Sequence, residues 1–435
     1  MGDQALTAPD TIRLNGIQQP QCPRRIVFIT ATDLPEGGGH TSRLKSVVDA
    51  LSRSGHKISI LNEHALGIAP TSTRNVAGAI CGVPYEYVLG KVDRPYGFGI
   101  VGDKGRAVAA IWKRISRMHR ELPIDLLWFN HLSFYDTYPL TRLAKRLSIP
   151  TIQAYEDERL ELVSDGPRSL ARRIFAANSS LGDRWCPSMA DAIVVISSYL
   201  AGKYARLSGS PSKIHLIPTV VDCEVWNCER EVVADIPRIV YSGSFGEQDD
   251  FEGLLTALSI VRQRGLKFKF VMLGGSSRRG EGDREMQVEA LVRQLNLVSC
   301  VERRGFVPLD QVRAELCKAN ILINLRRDGV WARAGLSTKL SEYLSSGRLV
   351  IASVLGDVAK YLENDKSALL VSPKCDPGEI SDAIARALSS PDLRIRIGMA
   401  GRQVALNHFD IPVVQARFQF LMNHLFQYHT GAIVC

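Results

Sequence analysis

The sequence contains no long apolar run. No stretch of its 435 residues approaches the roughly 18 continuous apolar residues that a membrane-spanning helix needs. The first 23 residues also lack the apolar centre of a secretory signal peptide, and we interpret them as a mobile tail. These absences predict a cytoplasmic protein, whose membrane contact, if any, is peripheral and at the inner face.

Paired cysteines and metal-ligand spacings are also missing. The nine cysteines include no C-x-x-C pair and none clusters with histidines. This scatter predicts neither a zinc site nor a disulfide framework, and it favours a reducing compartment. The acidic residues show no octahedral ligand pattern, so we expect no metal.

The composition is that of a folded protein with a basic excess. The chain is longer than the roughly 250 to 300 residues at which single cores stop growing, so two domains are expected. A formal charge of +9 favours anionic partners, but it does not by itself distinguish phosphate, nucleic acid and an acidic membrane face.

The first half, residues 24–222, alternates short apolar runs with helical patterns. "RIVFIT" predicts a strand, a glycine loop and an amphipathic helix follow, and "KISILN" predicts a second strand. Further strands are expected at 126–130, 151–155 and 192–197. Strands without polar alternation, separated by helices, predict a parallel sheet that is buried on both faces.

A second series of the same kind occupies residues 223–411, beginning with "RIVYSGS". The fold class is therefore α/β, with two tandem Rossmann-like, doubly wound domains facing a cleft. Such sheets bind ligands beyond the carboxyl ends of their strands. A last helix, around 412–427 in the segment 412–435, is expected to pack back on the first domain.

Three consecutive glycines, Gly37, Gly38 and Gly39, lie between the first strand and the first helix. Such a loop lets backbone N–H groups approach an anion at a helix N-terminus. The run is not G-x-G-x-x-G, so a dinucleotide site is weakly indicated. A flexible surface turn is the alternative.

The stretch "STKLSEYLSSGRLVIAS" predicts a helix that starts near Ser337 and places Lys339 and Glu342 on its first turns. A lysine is unfavourable at a helix N-terminus unless an anion offsets the dipole, as a bound diphosphate would. The alternative is a surface ion pair worth roughly 0.2 to 0.5 kcal/mol. Upstream, Arg326, Arg327 and Arg333 could pair with phosphate oxygens or lie in a solvated loop.

The motifs "GGGH", "IPTVVD", "YSGSF" and "STKLSEYLSSGRLVIAS" together resemble those of retaining glycosyltransferases of the GT-B fold, group 1 or family 4-like, over roughly residues 24–425. The resemblance implies a UDP- or GDP-linked sugar donor bound by the second domain, with no other cofactor. It implies a glycan, a lipid-linked molecule or a small molecule as the acceptor, and no nucleic acid.

The resemblance also implies roles for individual residues. Glu342 would hold the ribose hydroxyls and Lys339 would lie near the diphosphate, while His131, after a strand of the first domain, would lie beside the sugar. His131, Lys339 and Arg327 are the catalytic candidates, and Glu156 and Asp157 could meet the acceptor, although a structural histidine and a solvated acidic loop are the alternatives. The predicted donor-binding residues are Gly38, Gly39, Gly243, Ser244, Arg333, Leu336, Ser337, Thr338, Lys339 and Glu342.

The chain departs from this family in two places. Many relatives carry a glutamate eight positions before the ribose-binding one, where this chain has Ala334. Many also have Arg and Lys after the "Y-x-G" strand, where this chain has Ser244 and nearby acidic residues, among them Asp249 and Asp250. Neutralisation of the diphosphate is therefore expected from Arg327, Arg333 and Lys339.

Two other functions compete with the transferase. One is a nucleotide-sugar epimerase or a phosphorylase of similar architecture, and the other is a non-catalytic module that binds a nucleotide or a glycan. A further hypothesis is that basic residues of the first domain contact anionic lipid. Those residues are Arg142, Lys145, Arg146, Arg168, Arg172 and Arg173.

Overall fold

The computed structural model describes residues 23–65, 75–93, 99–130, 133–158, 170–228, 235–243, 245, 248–275 and 282–430. Two sheets, one of eight strands and one of six, occupy the two halves of the chain. Helices connect successive parallel strands in both halves. The predicted class, two Rossmann-like α/β domains, is confirmed.

The first sheet has the strand order β3-β4-β2-β1-β5-β6-β7-β8. Its elements are β1 (Arg25–Thr30), α1 (Gly39–Arg53), β2 (Lys57–Asn62), β3 (Ala77–Ile80), β4 (Val83–Tyr87), α2 (Gly99–Glu121), β5 (Leu126–Asn130), α3 (Phe134–Arg146), β6 (Thr151–Tyr155), α4 (Leu170–Met189), β7 (Ala192–Val195), α5 (Ser198–Ser208) and β8 (Ile214–Leu216).

One edge of this sheet differs from the expected parallel arrangement. Strands β3 and β4 form an antiparallel hairpin, which sequence analysis did not predict. Its two-residue turn, Cys81 and Gly82, has positive φ angles of 49° and 74°, the backbone conformation that tight hairpins favour. Because only the second turn residue is glycine, the usual sequence signal for such a turn is weak.

The second sheet has the order β11-β10-β9-β12-β13-β14, and all its recorded pairs are parallel. Its elements are β9 (Arg238–Gly243), α6 (Phe251–Gln263), β10 (Lys269–Gly274), α7 (Gly282–Gln294), β11 (Val301–Arg303), α8 (Leu309–Cys317), β12 (Ile321–Asn324), α9 (Val330–Ala334), α10 (Thr338–Ser345), β13 (Leu349–Ser353), α11 (Val358–Tyr361), β14 (Leu369–Val371), α12 (Pro377–Ser389), α13 (Pro391–His408) and α14 (Ile411–Thr430).

The two halves share a buried apolar cluster. It joins residues at the ends of β6 and β7, such as Tyr155 and Val195, to Leu336, Leu340 and Leu344 around α10. Polar contacts cross the same junction, since Asp357 accepts hydrogen bonds from the backbone N–H of Ser198 at 2.8 Å and from its hydroxyl at 3.0 Å. The start of α10 therefore lies against the first domain.

The last helix, α14, returns to the first domain. Phe418 packs edge-on against Trp128 of β5, with ring centroids 5.8 Å apart. Gln415 donates a hydrogen bond to the carbonyl oxygen of Ala50 in α1 at 2.9 Å, and Arg24 lies over the ring of Phe426. The core of the first domain thus includes residues from the far end of the chain.

A disulfide joins Cys228 to Cys317, with their Cα atoms 5.1 Å apart. The scattered cysteines predicted no disulfide framework, so this single bond was not expected, and the cysteine pattern no longer supports a reducing compartment. The two residues are separated by 89 positions and meet only because the interdomain segment passes the end of α8. In the described part of the chain, none of the helices is both long and apolar enough to cross a bilayer.

We expect Phe418→Ala to lower the stability of the first domain by about 3 to 5 kcal/mol, because it leaves a cavity in a core that α14 completes. Urea denaturation followed by tryptophan fluorescence measures the change. Phe420→Ala, on the same helix but with Phe420 58% exposed, is the control and should cost less than about 1 kcal/mol. A loss in Phe418→Ala no larger than that expected of the control would contradict the contribution of α14 to this core.

Candidate active site

The candidate site is centred on the N-terminus of α10. Tyr343 holds this helix against β9, because its hydroxyl accepts a hydrogen bond from the backbone N–H of Ser242 at 2.7 Å. Ser337 occupies the N-cap position, yet its side chain makes no capping hydrogen bond. The first N–H groups of a helix have no partner within it, so this uncapped end can bind an anion.

Lys339 lies in the first turn of α10 beside two polar groups. Its ammonium is 3.1 Å from Asp249 Oδ1 and 3.1 Å from the hydroxyl oxygen of Tyr241. Tyr241 donates a hydrogen bond to the same carboxylate at 2.7 Å, and its burial, together with Asp249, raises the Tyr241 pKa. The anion that offsets the helix dipole at Lys339 is therefore a carboxylate of the chain itself.

Glu342 lies one turn further along α10 and is half-buried. Desolvation raises the pKa of its carboxyl group to about 7, although Lys339 acts in the opposite direction. In the described part of the chain, no hydrogen bond or ion pair reaches this carboxylate. A carboxylate so desolvated and without a partner is suited to accept hydrogen bonds from ligand hydroxyl groups.

Glycines allow close approach on both sides of the cleft. A Cβ atom on Gly39 would lie 3.6 Å from the hydroxyl oxygen of Thr338, so the glycine loop of the first domain faces the start of α10. A Cβ atom on Gly243 would lie 2.8 Å from the Lys339 ammonium and closer still to the Tyr241 hydroxyl, so a side chain at the end of β9 would displace both groups. Gly38 is the N-cap residue of α1.

The two loop arginines predicted to neutralise a diphosphate are paired with carboxylates. Arg327 contacts Asp250 at 3.1 Å and also Glu252. Arg333 pairs with Asp328 at 2.8 Å and borders an open cavity of about 400 Å³ beside Tyr199. Either arginine would have to exchange its carboxylate for phosphate in order to bind a donor.

The other predicted donor-binding residues occupy several environments. Leu336 is buried in the apolar cluster that joins the two halves, whereas Ser337 and Thr338 are half-buried at the start of α10. His131 and Ser244 lie outside the described residues. Among the residues that the structure describes, no group of three or more His, Cys, Asp or Glu side chains could hold a metal ion.

The fold gives the acidic residues after β6 different environments. Glu156 is buried, with its carboxylate 2.9 Å from Arg43 Nε of α1. Asp157 is 41% exposed and lies 3.8 Å from His40 Nε2. The structure thus leaves Asp157 in the cleft and places Glu156, also predicted to bind the acceptor, in a buried ion pair.

Sequence reasoning missed several residues of the site. Asp249 was read only as an acidic replacement for a cation, yet it is the partner of Lys339. His40 and Arg43 follow the glycine loop and were not singled out. The signal for Asp249 was available, because a lysine at a helix N-terminus requires a nearby anion. No comparable signal pointed to Arg43.

Comparison with known proteins agrees with this fold and cleft. Residues 38–219 match the glycosyl transferase 4-like domain, and residues 236–390 match the family of glycosyl transferases group 1. The two matches cover most of both domains and define the class. The chain is a glycosyltransferase of the GT-B fold, which confirms the predicted class of enzyme.

Individual relatives are distant. The GDP-mannose-dependent alpha-(1-6)-phosphatidylinositol monomannoside mannosyltransferase of Mycobacterium tuberculosis is 23% identical over 306 residues, 67% of this chain and 73% of the relative. Alpha-D-kanosaminyltransferase of Streptomyces kanamyceticus is 20% identical over 266 residues, 59% of this chain and 65% of the relative.

Solved structures share the architecture. Sucrose-phosphate synthase from Thermosynechococcus elongatus superposes with a TM-score of 0.71 at 18% identity, covering 93% of this chain and 100% of that one. The Anabaena protein HepE, in complex with UDP and glucose, superposes with a TM-score of 0.68 at 14% identity, covering 92% and 99%. At these identities the likeness concerns the fold.

We expect Glu342→Gln to gain stability relative to the wild type as the pH rises from about 5 to 8. The folded wild type keeps the Glu342 proton up to about pH 7, whereas the unfolded chain releases it near its ordinary value of 4.5. Unfolding therefore becomes easier across this window in the wild type, and glutamine removes the effect. Thermal unfolding midpoints at several pH values measure the difference.

Glu363→Gln removes an exposed carboxylate and serves as the control. A difference between Glu342→Gln and the wild type that stays constant with pH would contradict the raised pKa of Glu342.

Proposed function

We propose that this glycosyltransferase moves a sugar, with retention of anomeric configuration, from a nucleoside diphosphate sugar to an acceptor hydroxyl in glycan or glycoconjugate synthesis. Glu342 carries the proposal, because its desolvated carboxylate lacks a partner in the described structure and lies one turn beyond an uncapped helix start. A nucleoside diphosphate offers the complementary groups: two neighbouring ribose hydroxyls for the carboxylate, and a diphosphate for the helix N-terminus.

Donor binding follows from these positions. The ribose hydroxyls would donate hydrogen bonds to Glu342, and the diphosphate would accept bonds from the first N–H groups of α10. Lys339 would add its positive charge at the same end of the helix, and Gly39 would approach from the other domain. Arg327 and Arg333 are further candidates, provided that the phosphate displaces their present partners.

The reaction requires stabilisation of a leaving nucleoside diphosphate. Positioned cations and N–H dipoles stabilise such an anion, so the leaving group does not need to be protonated. We propose that Lys339 and the α10 N-terminus supply this stabilisation without a metal ion. Activity that persists in a chelator would support that part of the proposal, and loss restored by a divalent cation would contradict it.

The donor nucleotide is proposed to be UDP or GDP. HepE, which shares the fold, is described in complex with UDP and glucose, and the mycobacterial relative is named for its dependence on GDP-mannose. That relative is also named for a phosphatidylinositol-linked acceptor. For this chain we propose a glycan, a lipid-linked molecule or a small molecule, met by the first domain.

Glu342→Ala is expected to weaken binding of the nucleotide sugar by about 10- to 100-fold, because hydrogen bonds to a charged group contribute about 1.5 to 3 kcal/mol. The free energy of unfolding at neutral pH should not fall by more than about 1 kcal/mol, since no hydrogen bond or ion pair of the described residues reaches this carboxylate, and its desolvation already favours unfolding there. Calorimetric titration with UDP-glucose and GDP-mannose measures the affinity. Unchanged affinity would remove the ribose-binding role.

A panel of radiolabelled nucleotide sugars tests the reaction itself. Slow release of free sugar from one donor, and faster transfer when an acceptor mixture is added, would support the transferase. Binding of a donor without turnover in any acceptor mixture would favour a non-catalytic module instead. The anomeric configuration of the product, read by nuclear magnetic resonance, tests retention.

We also propose that the first domain contacts an anionic membrane surface. Three apolar residues are exposed along one face of α4: Ile174 (44%), Leu181 (42%) and Trp185 (48%). Arg184 lies over the Trp185 ring at 5.6 Å, while Asp183 turns inward and pairs with Lys203 at 2.7 Å. An apolar stripe with a basic flank is typical of helices that lie in a lipid interface.

The structure describes the side chains of four of the six basic residues predicted for this contact. Arg142, Lys145 and Arg146 are exposed on α3, which packs beside α4, and Arg173 is exposed on α4 itself. Arg168 and the side chain of Arg172 lie outside the described residues. We therefore propose that the enzyme is peripheral and lies at the inner face of a membrane.

Trp185→Ser combined with Leu181→Ser is expected to reduce binding to phosphatidylglycerol vesicles at low salt by about tenfold or more, because each side chain loses apolar burial in the lipid. Sedimentation with the vesicles measures the bound fraction, and phosphatidylcholine vesicles report the electrostatic part. Met399→Ser, at a residue 67% exposed on the second domain, is the control. Failure of the wild type to sediment would contradict membrane contact.

A further inference from the structure

The three consecutive carboxylates that follow β6 have separate roles in the structure. Glu156 is held by Arg43 of α1, at 2.9 Å, and Glu158 pairs with Lys203 of α5. Lys203 also pairs with Asp183 of α4. The two outer carboxylates are therefore anchored to different helices of the first domain, and the short segment between them has little freedom to move.

Asp157, the middle residue, faces the second domain. A Cβ atom on Gly335 would lie 2.9 Å from Asp157 Oδ1, so the carboxylate rests against the backbone just before α10. Only glycine at position 335 leaves room for this approach. The recorded ion-pair neighbour of Asp157 is His40, with Nε2 at 3.8 Å, and the side chain stays 41% exposed.

The position of Gly335 relative to the proposed donor indicates which part of the donor lies beside Asp157. This step rests on the proposed function, in which Glu342 binds the ribose and the first N–H groups of α10 bind the diphosphate. The sugar is attached on the other side of the diphosphate from the ribose. It would therefore lie beyond the start of α10, where Gly335, Gly39 and Asp157 come together.

The second domain offers no carboxylate of its own directly before Gly335. Ala334 occupies the preceding position, and it is fully buried in the apolar cluster between the two halves. Its carbonyl oxygen accepts a hydrogen bond from the hydroxyl of Ser197. A longer, charged side chain at position 334 would have to disrupt this junction.

We propose that Asp157 reaches across the cleft and binds hydroxyl groups of the transferred hexose. Its carboxylate can accept two hydroxyl hydrogen bonds, and charge-assisted bonds of this kind are strong and directional. His40 acts as a positioning residue beside it. This assignment moves Asp157 from the acceptor, where sequence analysis placed it, to the sugar of the donor.

The experiment compares the nucleotide with the nucleotide sugar in the absence of acceptor. UDP, GDP, UDP-glucose, UDP-N-acetylglucosamine and GDP-mannose are titrated calorimetrically into the full chain and into Asp157→Asn. The variant should bind the free nucleotide within about twofold of the wild type. It should bind the matching nucleotide sugar about tenfold more weakly, because the charged acceptor for the sugar hydroxyls is lost.

Gly335→Ala is the second variant, because its new methyl group must displace the Asp157 carboxylate. It should show the same selective loss, with thermal unfolding reporting that the chain remains folded. Asp382→Asn is the matched control, because Asp382 lies in an exposed pair with Arg264 on the surface of the second domain. The control should bind both ligands like the wild type.

The outcomes separate the two proposals. If Asp157→Asn binds the nucleotide sugar as tightly as the wild type, or loses affinity equally for the free nucleotide, the sugar-binding role is overturned and the transferase proposal stands. If the wild type binds neither nucleotides nor nucleotide sugars, the proposed function fails and the role of Asp157 fails with it.

Discussion

Lys339 carries a positive charge in the first turn of α10. The arrangement of the second-domain side of the cleft depends on how that charge is balanced. The N-terminus of a helix is already electropositive, so an ammonium group there needs a nearby anion. Asp249 supplies it at 3.1 Å, and Tyr241 bonds to the same carboxylate. One ion pair thereby joins the end of β9, the loop after it and the start of α10.

The Lys339–Asp249 pair also accounts for an acidic residue in the loop after β9, where the resemblance led us to expect cations. In this chain the loop after β9 carries acidic residues, and the facing helix carries the lysine that pairs with one of them. Arg327 is held in the same manner by Asp250 and Glu252. Two of the positive charges near the proposed diphosphate, those of Lys339 and Arg327, are therefore balanced by carboxylates within the protein.

Much of the fold could be predicted because its signals are local. Apolar runs and helical spacing identified most strands and helices, and the start of α10 was expected near Ser337 and lies at Thr338. The partners of the site residues could not be predicted in the same way. Lys339 and Asp249 are 90 residues apart, and Cys228 and Cys317 are 89 apart, so only the completed fold brings each pair together.

The acidic segment after β6 is a second case in which the partners of the residues could not be predicted from the sequence. In the sequence, Glu156, Asp157 and Glu158 are equivalent members of a charged loop. Arg43 and Lys203, from helices on either side, distinguish them by pairing with the outer two. Periodicity could not reveal this, because the two cations come from separate parts of the chain.

The return of α14 to the first domain has a consequence for biogenesis. Ribosomal synthesis proceeds from the N-terminus, and domains that are contiguous in sequence can fold while the rest of the chain is still being made. Here Trp128 meets Phe418 only after the second domain has been translated. The first domain must therefore wait, with part of its interior uncovered, until the second domain has emerged.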